Sequence, residues 1–169
     1  MTRLIACALF VTVSLPSSRL HAQDLARNAL YVEFSGNAWK YSVNFERLTL
    51  PNVSLRVGAG FFSMQDESGG NTNVLAVPLM LNGFNDFFFL RLQAGIGVTL
   101  FDNGGTACTI SNNTIPNGTT TFLTMTLGVR FQPIYNSIIV GIGYTPLIPI
   151  SNNNTLINNW GLNVGFVFS

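Results

Sequence analysis

The chain has 169 residues, enough for one domain, and only 9% of them are charged where a soluble domain carries about 25%. Eight basic residues against seven acidic ones leave a net charge of +1, which offers no electrostatic footprint for nucleic acid. Apolar residues make up 47%, yet no run approaches the roughly 18 consecutive apolar residues of a spanning helix, so a membrane segment here would have to be a closed barrel of strands.

The first 22 residues read as an export signal peptide. Arg3 supplies the positive start, Leu4 to Leu15 the apolar stretch, and Leu20-His21-Ala22 a small-residue cleavage site that leaves Gln23 as the first mature residue. "LIAC" at residues 4 to 7 is no acylation box, because Cys7 stands at the front of the apolar run. Cleavage removes the one histidine, His21, and one of two cysteines. Cys108 then stands alone as an unpaired small residue in a loop, with no internal disulfide and no zinc cluster to build.

From residue 30 onward the side chains alternate with the period of a β-strand. Leu30, Val32 and Phe34 alternate with Tyr31, Glu33 and Ser35; Tyr41, Val43 and Phe45 with Ser42, Asn44 and Glu46. Val53 to Phe61 sets apolar residues against Ser54, Arg56, Gly58 and Gly60. The fourth strand covers Val74 to Leu81, with Pro78 tolerated as a local break in the ladder. Leu90 to Leu100 opposes Arg91, Gln93, Gly95, Gly97 and Thr99; Thr121 to Phe131 opposes Phe122, Thr124, Thr126, Gly128 and Arg130. Ile138 to Thr145 is the seventh, and Trp160 to Phe168 closes the set of eight.

The connections alternate too. Thr49–Asn52, Asn82–Asp86 and Gln132–Ser137 read as tight turns, whereas Ser63–Asn73, Asp102–Gly118 and Pro146–Asn158 read as long loops. Short turns at one end and long loops at the other predict an eight-stranded antiparallel up-and-down transmembrane β-barrel over residues 23–169. The first connection, around Gly36 to Trp39, is short where a long one is expected.

Alternation alone would also suit a secreted β-sandwich with its apolar face inward. The opposite face decides, because it carries Gly, Ser, Thr and Asn with few charges, and the whole chain holds a single lysine. Such a face clothes a narrow lumen better than a wet exterior. The apolar face therefore points to lipid, with Tyr41, Phe61, Phe101, Phe131, Tyr144, Trp160 and Phe168 near strand ends as interfacial aromatics.

With its leader, its eight alternating strands and its ending "GLNVGFVF", the chain resembles the small outer-membrane β-barrel proteins of Gram-negative bacteria, of the OmpA-domain and OmpX type. "NALYVEFSGNAWKYSVNFERL" is similar to the first hairpin of uncharacterised outer-membrane barrels from Bacteroidetes. The resemblance implies residence in the bacterial outer membrane among lipid and lipopolysaccharide, and insertion by the barrel-assembly machinery. That machinery reads a terminal aromatic in such proteins; here Phe168 is followed by Ser169.

By parity Glu33, Glu46, Arg56, Arg91 and Arg130 point inward, all in the periplasmic half. An eight-stranded barrel is only just wide enough for side chains to fill it, so charges there must pair. A Glu/Arg network closing the lumen is expected, helped by Asn44, Gln93 and Gln132, with Arg47 outside at the periplasmic interface. The inward glycines serve wall curvature, or else open a small vestibule.

Catalysis is not expected. Small barrels that cut or transfer lipid and peptide bonds rely on a histidine, and the mature chain has none to take a serine proton. No cofactor or metal is implied, since Asp66, Glu67 and Asp102 match no calcium loop. These residues lie with Cys108 in Asn/Thr/Gly-rich surface loops that could engage an extracellular protein or glycan. The sequence thus points to a non-enzymatic outer-membrane barrel with a structural or surface-interaction role. The competing reading is a narrow pore or small-ligand channel.

Overall fold

The structure, a computed structural model, describes residues 27–65, 69–87, 90–105, 107–110, 113–115, 118–132, 138–150 and 156–169. The leader expected over residues 1–22 and the loop carboxylates Asp66 and Glu67 lie outside the described residues. In chain order the elements are β1 (Asn28–Ser35), a 3-10 turn (Gly36–Ala38), β2 (Tyr41–Leu50), β3 (Val53–Gln65), β4 (Asn71–Phe87) and β5 (Leu90–Asp102). A short pair, β6 (Cys108–Ile110) and β7 (Asn113–Ile115), follows, and then β8 (Thr119–Phe131), β9 (Ile138–Tyr144), β10 (Leu147–Pro149) and β11 (Trp160–Phe168).

Eight of these strands form one antiparallel ring. β1 to β5 pair in sequence, β5 pairs with β8, β8 with β9, β9 with β11, and β11 returns to β1. The fold is an all-β, closed, up-and-down barrel, and closure leaves the ring without an edge strand. The strands of the ring alternate outward and inward positions along their length, as in β3, where Leu55, Val57 and Phe61 are exposed while Ser54, Arg56 and Phe62 are buried.

Several boundaries differ from the sequence reading. Asn82–Asp86 is not a turn. β4 runs straight through it to Phe87, because Asn82 and Phe84 fall on inward positions where lumen packing outweighs the turn preference of "NGFND". Nor are Ser63–Asn73 and Asp102–Gly118 open loops. β3 continues to Gln65 and β4 starts at Asn71, and the second stretch contains the β6–β7 hairpin. Phe101, expected on the outer face, is fully buried inside, since Leu100 already takes the outward position beside it.

Pro78 interrupts pairing as expected: the β3–β4 ladder skips from Val57–Leu79 to Gly60–Ala76 without a change of register. Another proline reshapes the wall at Pro146, which has no N–H to give. β8 pairs with β9 only from Leu127 to Phe131, and β10 takes over opposite Phe122–Thr124. The Met125 N–H donates to the Pro146 carbonyl at the changeover (3.3 Å).

Candidate functional site

The lumen contains the chain's chemistry. Glu33, Glu46, Arg56 and Arg130 project inward from β1, β2, β3 and β8, each no more than 3% exposed. Glu46 and Arg56 are directly opposite on neighbouring strands, yet each has its ion pair elsewhere. Arg56 is bonded through Nη2 to Glu33 and donates from Nε to Asn44 Oδ1 (2.9 Å). Arg130 reaches across from β8 to Glu46 (2.8 Å), whose carboxylate also accepts from Asn82 Nδ2 (3.0 Å) and from the Ser54 hydroxyl. Strand tilt causes the exchange, because an inward side chain in a small sheared barrel leans over its neighbour and meets residues from another level.

Two aromatic rings fit between the guanidinium groups. Tyr31 has Arg56 and Arg130 each 5.3 Å from its ring centre. Phe84 has Arg130 at 4.9 Å and Arg91 at 4.6 Å. The order along the lumen is therefore Arg56, Tyr31, Arg130, Phe84, Arg91, three cations separated by two rings. Arg91 and Arg130 are opposite each other in the β5–β8 ladder, and Phe84 stands between two like charges that would otherwise meet. Ring faces attract cations most strongly where water is excluded.

Arg91 departs from the sequence reading. It pairs with Asp86 (2.5 Å), which is more than half exposed, and donates to Gln132 Oε1 (3.3 Å). It lies at the rim because β5 begins only one residue earlier, at Leu90. Among the described residues the buried pairs are thus two, and the third lies at the rim, next to them across the Phe84 ring.

Above the charges the first hairpin folds inward. Gly36, Asn37 and Ala38 are buried, and Ser35 and Trp39 at their flanks have φ of 61° and 76°, a left-handed turn that residues with a Cβ rarely adopt. Asn37 satisfies its whole carboxamide in one orientation. Nδ2 donates to Thr124 Oγ1 (2.6 Å) and the Met125 carbonyl (3.2 Å), while Oδ1 accepts from Thr126 Oγ1 (3.0 Å) and Arg56 Nη1 (3.1 Å). Its backbone N–H donates to Glu33 (3.2 Å), and its carbonyl accepts from Thr99 Oγ1 (2.9 Å). Asn159, itself buried, fastens the loop by donating from Nδ2 to the Gly36 carbonyl (2.7 Å). Sequence reasoning missed Asn37. The signal was the connection that broke the short-and-long pattern: it is short because it enters the barrel.

Beyond the loop lies an apolar cluster, with buried Thr72 and Thr120 on the same inward faces. Phe62, Met64, Val74, Ala76, Phe101, Phe122 and Leu147 pack together, with Phe101 and Phe122 edge to face at 5.1 Å. Cys108 belongs to this cluster as part of β6, a correction to its expected place in an open loop, and accepts a weak bond from Asn103 Nδ2 (3.8 Å). Burial pushes its thiol above the ordinary cysteine range.

The inward glycines do not open a vestibule. Asn44 lies over its cross-strand partner Gly58, and Asn82 over Gly95, where an added Cβ would overlap the amide oxygen. At the turn end the lumen narrows to a cavity of about 10 Å³ beside Glu46, Arg91 and Arg130, room for about one water molecule. Asp102 is exposed and caps the backbone N–H of Gly104 (3.1 Å). Among the described residues no three His, Cys, Asp or Glu side chains converge to hold a metal.

No protein-family model matches the chain, and no curated protein matches it. Among solved structures, it is similar to the crystal structure of the N-terminal β-barrel domain of Pseudomonas aeruginosa OprF. The TM-score is 0.58 over 84% of this chain and 96% of that one, at 14% identity. The likeness is one of fold.

Proposed function

We propose that the chain is an integral outer-membrane barrel, sealed along its axis, with a non-enzymatic structural or surface-interaction role. One observation carries this reading: the polarity is inside out. Leu127, Trp160, Phe61, Leu55 and Ile142 are at least 54% exposed on the outer wall, while Glu33, Glu46, Arg56 and Arg130 are buried within. In water that arrangement would expose far more contiguous apolar surface than a soluble monomer tolerates. In a bilayer it is the stable one.

The seal has three parts in series: the charge column, the Asn37 loop and the apolar cluster. The outer-membrane location, insertion by the barrel-assembly machinery and contact of the loop end with lipopolysaccharide belong to the same proposal. Purified protein refolded into lipid vesicles is expected to migrate differently on a denaturing gel before and after boiling. It is also expected to give no steady single-channel current in a planar bilayer. Unchanged migration would defeat the transmembrane part, and a steady current the sealed part.

A further inference from the structure

The outer wall is not uniform. Val53, Gly83, Ala94, Leu127, Tyr144 and Trp160 are successive cross-strand partners, one row running across β3, β4, β5, β8, β9 and β11. Near neighbours on this wall are Leu, Ile and Val, but the row contains a glycine and an alanine side by side. The wall is therefore notched, and a groove of about 650 Å³ follows the row from Asn52 at the turn end up to Trp160. With strands about 4.8 Å apart, the row is roughly 24 Å long. Strand tilt makes it climb from the turn-end rim at Val53 toward Tyr144 and Trp160 at the loop ends of β9 and β11.

At the lower end of the groove stands a cation. Arg47 is exposed and of outward parity, opposite Leu55, which is two residues from Val53 along β3. Strand geometry puts its Cα about 8 Å from that of Val53. Among the described residues no carboxylate pairs with it. A guanidinium free at the rim beside an apolar channel leading into the belt is complementary to one kind of molecule: an anionic head joined to a hydrocarbon chain.

We infer that this groove seats one phospholipid, with an acyl chain over Gly83 and Ala94 and the phosphodiester on Arg47. The inference rests on the transmembrane reading above. The groove favours this occupant over a second copy of the chain because a protein surface would need its own carboxylate for Arg47 and a matching ridge for the notch. A lipid supplies both in one molecule.

The test uses the whole refolded protein in detergent, with phosphatidylglycerol added as the probe and retained lipid counted by native mass spectrometry. Wild type is expected to retain one lipid at low lipid-to-protein ratio. Arg47→Gln should lower retention by about fivefold, the worth of one arginine against an anionic lipid surface. Gly83→Leu with Ala94→Phe should abolish it by filling the notch. Both sites point outward, and a Cβ at Gly83 meets its nearest neighbour, the Ala94 carbonyl, at an ordinary 3.7 Å. Val43→Phe, on the outer face of β2, is the control and should retain lipid as wild type does.

Retention by the filled variant equal to wild type, or no retained lipid on wild type, overturns the inference. Either result leaves the transmembrane reading intact as long as the wild type still inserts into vesicles with its heat-dependent gel shift. Failure to insert removes both.

Discussion

Removing the Glu46 carboxylate measures what the buried charges contribute. Glu46 serves three donors: Arg130 at 2.8 Å, Asn82 at 3.0 Å and the Ser54 hydroxyl. Stripping one partner from a buried pair costs about 3–5 kcal/mol, and two further stranded donors add roughly 1 kcal/mol each. The rings of Tyr31 and Phe84, at 5.3 and 4.9 Å from Arg130, retain part of the cation's stabilisation, about 1–2 kcal/mol. Glu46→Ala should therefore destabilise the barrel by about 4 kcal/mol.

Asp86→Ala makes the contrast. The Asp86–Arg91 pair is shorter, at 2.5 Å, but Asp86 is mostly exposed, and such a pair contributes about 1 kcal/mol or less. Burial rather than distance sets the ranking. The double change Glu46→Leu with Arg130→Met removes both charges and should recover most of the loss, because an apolar pair of similar volume needs no partner. The assay is guanidinium unfolding of the barrel in lipid vesicles, followed by tryptophan fluorescence and gel mobility. Equal losses for Glu46→Ala and Asp86→Ala, within about 1 kcal/mol, would refute the argument that burial sets the ranking.

Gly95→Ala would force Asn82 off its seat and break its bond to Glu46, a loss of about 1–3 kcal/mol, whereas Gly83→Ala on the outer wall should change stability by roughly 0.5 kcal/mol or less; equal effects in the same unfolding assay would contradict the close packing of inward side chains over glycines. Asn37→Ala deletes the carboxamide that joins Thr124, Thr126 and Arg56, and should cost about 2–4 kcal/mol. It should also speed hydrogen exchange at the Ala38 and Trp39 amides, and unchanged exchange would show that the loop stays inside without it. Because burial raises the folded thiol pKa of Cys108, folding stability contributed by this group falls as pH rises through the ordinary thiol range near about 8.5. A thiol reagent should accordingly label the folded barrel far more slowly than the unfolded chain from about pH 7 to 9, and equal rates would place the thiol in solvent.

The faces of the strands were legible in the sequence, because the alternation of side chains is a local property of an extended backbone. Tyr31, Glu33, Asn44, Glu46, Arg56 and Arg130 could be assigned inward from parity alone, and the ring of eight strands followed from the count of alternating segments. Element ends were less legible. "NGFND" has turn chemistry, yet Asn82 and Phe84 are more useful inside the lumen, and a propensity worth a few tenths of a kcal/mol gives way to packing.

Which inward residues meet was decided only by the closed barrel. Glu46 and Arg56 are opposite in the ladder and bond elsewhere; Arg91 shares their parity and remains at the rim; Tyr31 and Phe84 have no sequence mark that puts them between arginines. Parity fixes a side, but the stagger of the closed ring fixes the level, and no single strand carries information about the stagger. Asn37 illustrates the same limit, since its place follows from a loop turned inward toward β5 and β8, strands that begin more than fifty residues later in the chain.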